Sequence, residues 1–210
     1  MTERFFPASG EDHREINTRI NTALSQHPWA KIPLSLLEKY DEATYHHSLN
    51  TGYIMTRLAL RNPLSKDDDA KATVAGFLHD VGKTKVSPEL LRSGVVFNQE
   101  EENPINEHVR RGVDIVSKYD CRIAAIIAAH HEFQDKPYPR ADERPIMDLK
   151  LRQMQIMLAI ADHAESLLSK RSYKEPWPEQ NVVFHLKHLF GSGSLPLIQE
   201  AVVSMQLLAA

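Results

Sequence analysis

No stretch of this sequence alternates polar and apolar residues for long, whereas apolar residues recur at helical spacing along nearly all of it. A sheet core is thereby excluded and an all-α fold is predicted, with helices near 11–25, 33–40, 44–60, 67–80, 88–92, 104–118, 121–131, 148–169, 178–189 and 196–207. Several starts are readable. Ser87-Pro88 and Asn103-Pro104 each set a capping side chain before a proline at the first helical position. Asp67-Asp68-Asp69 places negative charge at a helix N-terminus, where the dipole favours it. With 210 residues, 42% hydrophobic and 25% charged, the chain suits a compact single-domain helical bundle. Residues 1–40 read as N-terminal helices packed on a core built by 41–210.

Composition narrows the partners. A net charge of −3 gives no basic footprint for a long nucleic acid, although a few converging cations would still hold a small anionic substrate. The apolar run Ile123–Ala129 is far short of the roughly 20 residues a membrane span needs. Met1–Gly10 carries Glu3 and Arg4 with no apolar core behind it, so it does not read as a signal peptide. The single cysteine, Cys121, cannot form an internal disulfide, which points to a reducing, cytoplasmic setting. Two stretches read as loops, Lys83–Ser87 and Glu132–Pro145, the second holding Pro137, Pro139 and Pro145.

Histidine is the unusual residue, 11 in 210. His47 shares an apolar helical stripe with Thr51, Ile54 and Leu58, while His46 falls with Asn50, Tyr53 and Arg57 on a wetter face. His108 lies with Ile105, Gly112 and Ile115, and Gly112 leaves room beside the imidazole. An isolated inward histidine is usually a hydrogen-bonded core residue. Asp162 resists that reading, because it is the only carboxylate in the apolar run MQIMLAIADHA at 154–164. Burying it unpaired costs many kcal/mol, so it must be protonated, paired or bound to a metal. Asp80 has a similar setting after Val74–His79, and Ile123–Ala129 delivers His130 and His131. Five helices thus direct a His or Asp toward one interior, which predicts a metal centre. Mixed imidazole and carboxylate donors suit iron, manganese, zinc, cobalt or nickel better than calcium. The donors outnumber what one tetrahedral ion uses, so two metals are expected, a pairing suited to in-line displacement at phosphorus.

The series His47, His79-Asp80, His108, His130-His131 and Asp162 resembles the HD superfamily of metal-dependent phosphohydrolases, and within it the HD-GYP branch. FLHDVGKTKVSPELL at 77–91 is similar to the branch's HD-x-G-K segment, HHEFQDKPYP at 130–139 to HHExxDGxGYP, and ADHAESLLSKRSYK at 161–174 to A-D-x-x-D-A-L-x-x-x-R-x-Y-R. The closing GSGSLPLIQEAV also follows the branch, and the match runs in order over about 44–205. The resemblance implies that His47, His79, Asp80 and Asp162 hold one metal and His108, His130 and His131 the second, with Asp80 bridging. It implies two divalent ions, iron or manganese first, and a cyclic-dinucleotide phosphodiesterase, with cyclic di-GMP the leading substrate and a metal-bridging hydroxide the nucleophile. Asp80 and Lys83 would then be catalytic, and Lys83, Arg171 and Tyr138 would touch substrate.

The departures also matter. Where some members carry a Glu for a third metal this chain has Ala43, with Glu42 only a remote substitute. The signature loop is one residue short and lacks both glycines, and Phe133 replaces an arginine that often follows HHE. The alternatives are therefore an HD-type phosphohydrolase of another nucleotide or small phosphate ester, a di-iron oxygenase, and a catalytically silent signalling module. A separate regulatory protein fits as well as a stand-alone enzyme. His163 lies on the Ile156–Ile160–Leu167 stripe and reads as a packed core histidine.

Overall fold

The computed structural model describes residues 11–62, 64–92, 104–134, 137–138, 148–170 and 175–209. Among them the order of helices is α1 Glu11–Gln26, α2 Lys31–Tyr40, α3 Glu42–Arg61, α4 Lys66–Leu78, α5 Pro88–Arg92, α6 His108–Val116, α7 Cys121–Ile127, α8 Leu149–Leu168, α9 Glu179–Phe190 and α10 Leu195–Ala209. No strand occurs among the described residues. Their starts are set by short polar side chains. Asp41, Ser65, Asp120 and Asp148 each accept a backbone N–H from the first turn of α3, α4, α7 and α8. Ser87 does the same for α5 through Leu90 N at 3.1 Å. Asn103 lies outside the described residues.

The centre of the molecule is the α3–α4 pair, which makes the most extensive contact in the fold. Gly52 and Gly76 allow it. A Cβ on Gly76 would stand 2.8 Å from Gly52 Cα, and one on Gly52 would meet the Phe77 ring at 2.5 Å. With these two side chains absent, the helices close on each other and bury Tyr53, Met55 and Phe77 completely. Each such large side chain contributes about 1.5–3 kcal/mol by leaving water. α8 and α10 cover the other side of α3, and α7 lies between α4 and α8. α1 packs on α4, adding Ile16, Ile20 and Leu24 to the same core, with Arg19 paired to Asp69 at 2.6 Å.

Polar ties fix three of these helices relative to one another. Arg122 at the start of α7 reaches Asp68 of α4 at 3.0 Å and the α8 cap Asp148 at 2.7 Å. The far ends of the same helices carry His79-Asp80, His130-His131 and, midway along α8, Asp162. No helix among the described residues is long and apolar enough to cross a membrane.

Candidate metal centre

Each candidate donor sits either mid-helix on a buried face or at a helix end. His47 and Asp162 belong to the first group, on α3 and α8. His79 and Asp80 close α4, with Asp80 at φ −97°, ψ 4°, and the chain continues into a 3₁₀ turn at Val81–Lys85. His108 is the first residue of α6, and His130-His131 lie in the turn beyond α7. The expected helices over 67–80 and 121–131 therefore stop early, at Leu78 and Ile127. Successive side chains on a helix diverge by about 100°. Two adjacent residues can aim at one point only where the helix has already begun to turn.

Gly82 sets the distance between the two ends. A Cβ there would lie 1.8 Å from the His108 carbonyl oxygen and 2.5 Å from Gly112 N. The space beside Gly112, expected to receive an imidazole, instead faces the backbone of Gly82 and His79, at 3.5 and 3.7 Å. Backbone contact between the 3₁₀ turn and α6 brings His108 Nε2 to 3.2 Å from Asp80 Oδ1.

Around Asp80 the donors form two groups, His47–His79–Asp80 and His108–His130–His131, each with its ligand atoms within 4.8 Å of one another. In the first, His47 Nε2 lies 3.1 Å from His79 Nε2 and 3.1 Å from Asp162 Oδ1, and Asp80 Oδ2 lies 3.6 and 3.5 Å from the two imidazoles. In the second, His108 Nε2 and His130 Nε2 face each other at 3.2 Å. His131 Nδ1 stands 4.0 Å from Asp162 Oδ2. The Nδ1 atoms of His79, His108 and His130 point to the carbonyls of Gly76, Ile105 and Ile127 at 2.9, 2.7 and 2.6 Å. A carbonyl only accepts, so these nitrogens carry protons, and each ring turns its Nε2 inward as the nitrogen available to a cation.

This arrangement fits cations better than it fits itself. Two Nε2 lone pairs opposed at 3.2 Å repel unless a proton or a metal stands at them. Asp80 Oδ1 and His131 Nδ1 are buried with no hydrogen-bond partner among the described residues. Five imidazoles and two carboxylates converging on one buried point are the chemistry of a divalent transition-metal site.

Protonation differs between the two groups. Burial works against a charged His47, but the Glu165 charge and bonding to Asp162 and Glu165 outweigh it and raise its pKa to about 9. Burial likewise opposes ionised Asp80 and Asp162, yet Lys83 and His79 hold the first, and His47 and His79 the second, well below the usual carboxylate range. On the other side burial dominates. It lowers His130 to about 3, helped by His79 and His108, and holds His131 well below the ordinary imidazole value, helped by His130.

Glu165 joins the site although it is not among the donors that the sequence singles out. It is buried, accepts from His47 Nδ1, and also accepts from Asn50 Nδ2 at 3.0 Å and Ser169 Oγ at 2.7 Å. Such a carboxylate fixes the tautomer of a metal-binding histidine and turns its Nε2 toward the metal. The available signal was its position three residues after Asp162, on the same face of α8.

A cleft of about 240 Å³ opens onto the centre, lined by His47, Asp80, Lys83, His131 and Asp162 and by Gln134, His163, Ser166 and Leu167. Lys83 Nζ donates to Asp80 Oδ2 at 2.6 Å. Tyr138 stacks on His131 with centroids 4.6 Å apart. Arg171 lies outside the described residues, as do 135–136 and 139–147 of the loop. Glu42 is exposed and faces His46 at 3.7 Å, away from the donors. His163 corrects its expectation: it is only partly buried and lines the cleft, because its stripe on α8 runs from Ile160, fully buried in the core, out to the cleft at His163 and Leu167. Cys121 is exposed.

An all-helical domain with a buried cluster of histidines and aspartates at converging helix ends is the class that fold and site define. Residues 44–170 match the HD domain family, and the chain belongs to it. It is 28% identical over 182 residues to a cyclic di-GMP phosphodiesterase of Thermotoga maritima, covering 82% of this chain and 48% of that protein. A cyclic di-GMP phosphodiesterase of Pseudomonas aeruginosa is 30% identical over 75% of this chain and 38% of its own length. A 3′3′-cGAMP-specific phosphodiesterase of Vibrio cholerae is 29% identical over 70% of this chain and 28% of its own. The chain thus spans less than half the length of these relatives. Among solved structures, the HD domain of the Listeria monocytogenes phosphodiesterase PgpH superposes with a TM-score of 0.57, covering 85% of this chain and 99% of that one. At 16% identity that likeness is one of fold.

Proposed function

We propose that this chain is a metal-dependent phosphodiesterase that hydrolyses a cyclic dinucleotide, with cyclic di-GMP first and 3′3′-cGAMP second. The observation that carries the reading is Asp80, one buried carboxylate whose two oxygens face two different groups of histidines. In this reading His47, His79, Asp80 and Asp162 hold one metal, and His108, His130 and His131 the other, with Asp80 shared. Iron or manganese is favoured, and zinc, cobalt and nickel suit the same donors. Bound there, two such ions supply Lewis acidity at phosphorus and an activated water at neutral pH.

The residues have separable duties. Asp80 and Asp162, ionised in the buried cleft, offset the charge of the cations, and Glu165 holds His47 in register. Lys83 places an ammonium at the mouth, where it meets the non-bridging oxygens of an entering phosphodiester. Tyr138, stacked on His131, and Arg171 complete the proposed substrate contacts. The similarity to relatives named for cyclic dinucleotides supports this substrate class over a simple phosphate ester.

The test is turnover by anaerobically purified protein reloaded with Fe(II) or Mn(II), offered cyclic di-GMP, 3′3′-cGAMP and simple phosphate esters. The expected result is a linear dinucleotide or mononucleotides from a cyclic substrate, and a loss of about a thousandfold in Asp80→Ala, equivalent to several kcal/mol of charge stabilisation. Metal-loaded protein that cleaves no cyclic dinucleotide would overturn the reading.

A further inference from the structure

The cleft has two chemically distinct walls. One carries the metal donors and Lys83; the other is formed by Gln134, His163, Ser166 and Leu167, uncharged polar groups beside one apolar side chain. Metal and phosphate chemistry makes no demand on this second wall. A nucleotide substrate must rest its nucleoside somewhere, and this is the part of the cleft without a metal duty.

On that wall His163 has a defined polarity. Its Nδ1 lies 2.8 Å from the Ala159 carbonyl, so Nδ1 carries the proton and donates. The ring meets Phe190 edge-on at 5.9 Å between centroids and stands 6.5 Å from His131, which fixes its plane. The remaining Nε2 has no hydrogen-bond partner among the described residues, and His163 belongs to neither group of metal donors. With Nδ1 donating to the Ala159 carbonyl, Nε2 is the acceptor nitrogen of the ring. A phosphodiester oxygen has no proton to give it, so its complement is an N–H or O–H on the substrate.

We propose that His163 is a specificity-determining residue whose Nε2 accepts a hydrogen bond from the nucleoside part of the substrate, a ribose hydroxyl or a base N–H, while the metal donors and Lys83 hold the phosphate. The proposal rests on the nucleotide phosphodiesterase reading above and assigns its uncharged wall.

Two variants separate acceptor from shape. His163→Gln places an oxygen acceptor at similar reach, and His163→Phe keeps a flat ring against Phe190 without an acceptor. Calorimetry on Mn(II)-loaded protein would measure binding of a hydrolysis-resistant phosphorothioate analogue of cyclic di-GMP, of its 2′-deoxy counterpart and of inorganic phosphate. Metal content and turnover are followed on the same samples. His163→Phe is expected to weaken the analogue about three- to tenfold, the loss of one neutral hydrogen bond, with His163→Gln close to wild type. Phosphate affinity and metal content stay unchanged. If the partner is the ribose hydroxyl, the loss disappears on the 2′-deoxy analogue; if it is a base N–H, the loss persists.

Wild-type affinity in His163→Phe overturns the proposal, and so does a parallel loss of phosphate or metal, which would place His163 in the metal centre. Cleavage of cyclic di-GMP with an unaltered KM in His163→Phe overturns the contact and leaves the phosphodiesterase reading standing. Binding that depends on His163 without cleavage by wild type does the reverse. An absence of nucleotide binding overturns both.

Discussion

The two groups of histidines that face Asp80 are built from similar residues but solve different electrostatic problems. The His47 side is rich in carboxylates: Asp162 and Glu165 surround one imidazole and hold a proton on it, with a pKa of about 9. The His130 side has Asp80 and, farther off, Asp162 within reach, and there burial prevails and keeps His130 and His131 neutral. Orientation differs as well. Backbone carbonyls three residues upstream pin His108 and His130, as one also pins His79, whereas a side chain from another helix pins His47. Helix ends thus set the ring orientation of His108 and His130 through local structure, while the contact of Gly82 with α6 sets their distance from Asp80. The carboxylate-rich side depends on α3 meeting α8, and in the metal-free protein a proton occupies it.

That contrast can be broken at Glu165. Glu165→Gln removes the charge behind His47 and is expected to cost about 10–100-fold in metal affinity, confined to one of two ions, because outer partners of metal-binding histidines have effects of that size. Titration of the apo variant with Mn(II) would resolve a weakened site beside an unchanged one. Equal weakening of both would mean that the two sides are not independent.

Gly82→Ala acts on the spacing between the sides. Its Cβ would fall 1.8 Å from the His108 carbonyl, so α6 must move. A destabilisation of about 1–3 kcal/mol is expected from such overpacking, read by chemical denaturation. The move also separates His108 from Asp80 and weakens the second ion rather than the first.

The smallest effect is protonic. His47 is protonated in the apo protein up to about pH 9, so metal uptake on its side must expel that proton. Calorimetry in buffers of different ionisation enthalpy at pH 7 should show about one proton released for this ion, and affinity should rise with pH until about 9. His130 and His131, already neutral, add no proton. The same shift sets a stability window for the apo protein. The folded pKa of His47 is raised from 6.5, so its contribution is complete below 6.5 and is lost as pH rises through about 9. Glu165 has the opposite sign: lowered from 4.5 to about 2, it stabilises above 4.5 and ceases to as pH falls toward 2.

Much of this was readable from the residues because the centre violates ordinary patterning. A carboxylate inside MQIMLAIADHA, or histidines at the end of an apolar run, cannot pass as core, and helical periodicity located every described helix to within a few residues. What escaped had no such signature. Glu165 carries only the weak signal of standing three residues after Asp162, since the tertiary meeting of α3 and α8 is what buries it. The early ends of α4 and α7 lie in backbone geometry that periodicity does not register. Gly82 matters through what a side chain would strike on another helix. His163 lay on the right stripe, but a stripe can front a cleft as well as a core.

The central claim is that the two sides form one dinuclear site joined by Asp80. The most direct measurement is metal content together with electron paramagnetic resonance of Mn(II)-reconstituted protein, compared with Asp80→Ala. Two ions per chain with an exchange-coupled spectrum, lost or reduced to a single uncoupled ion in the variant, is the predicted result. One ion in the wild type, or two uncoupled ions indifferent to Asp80, would contradict it.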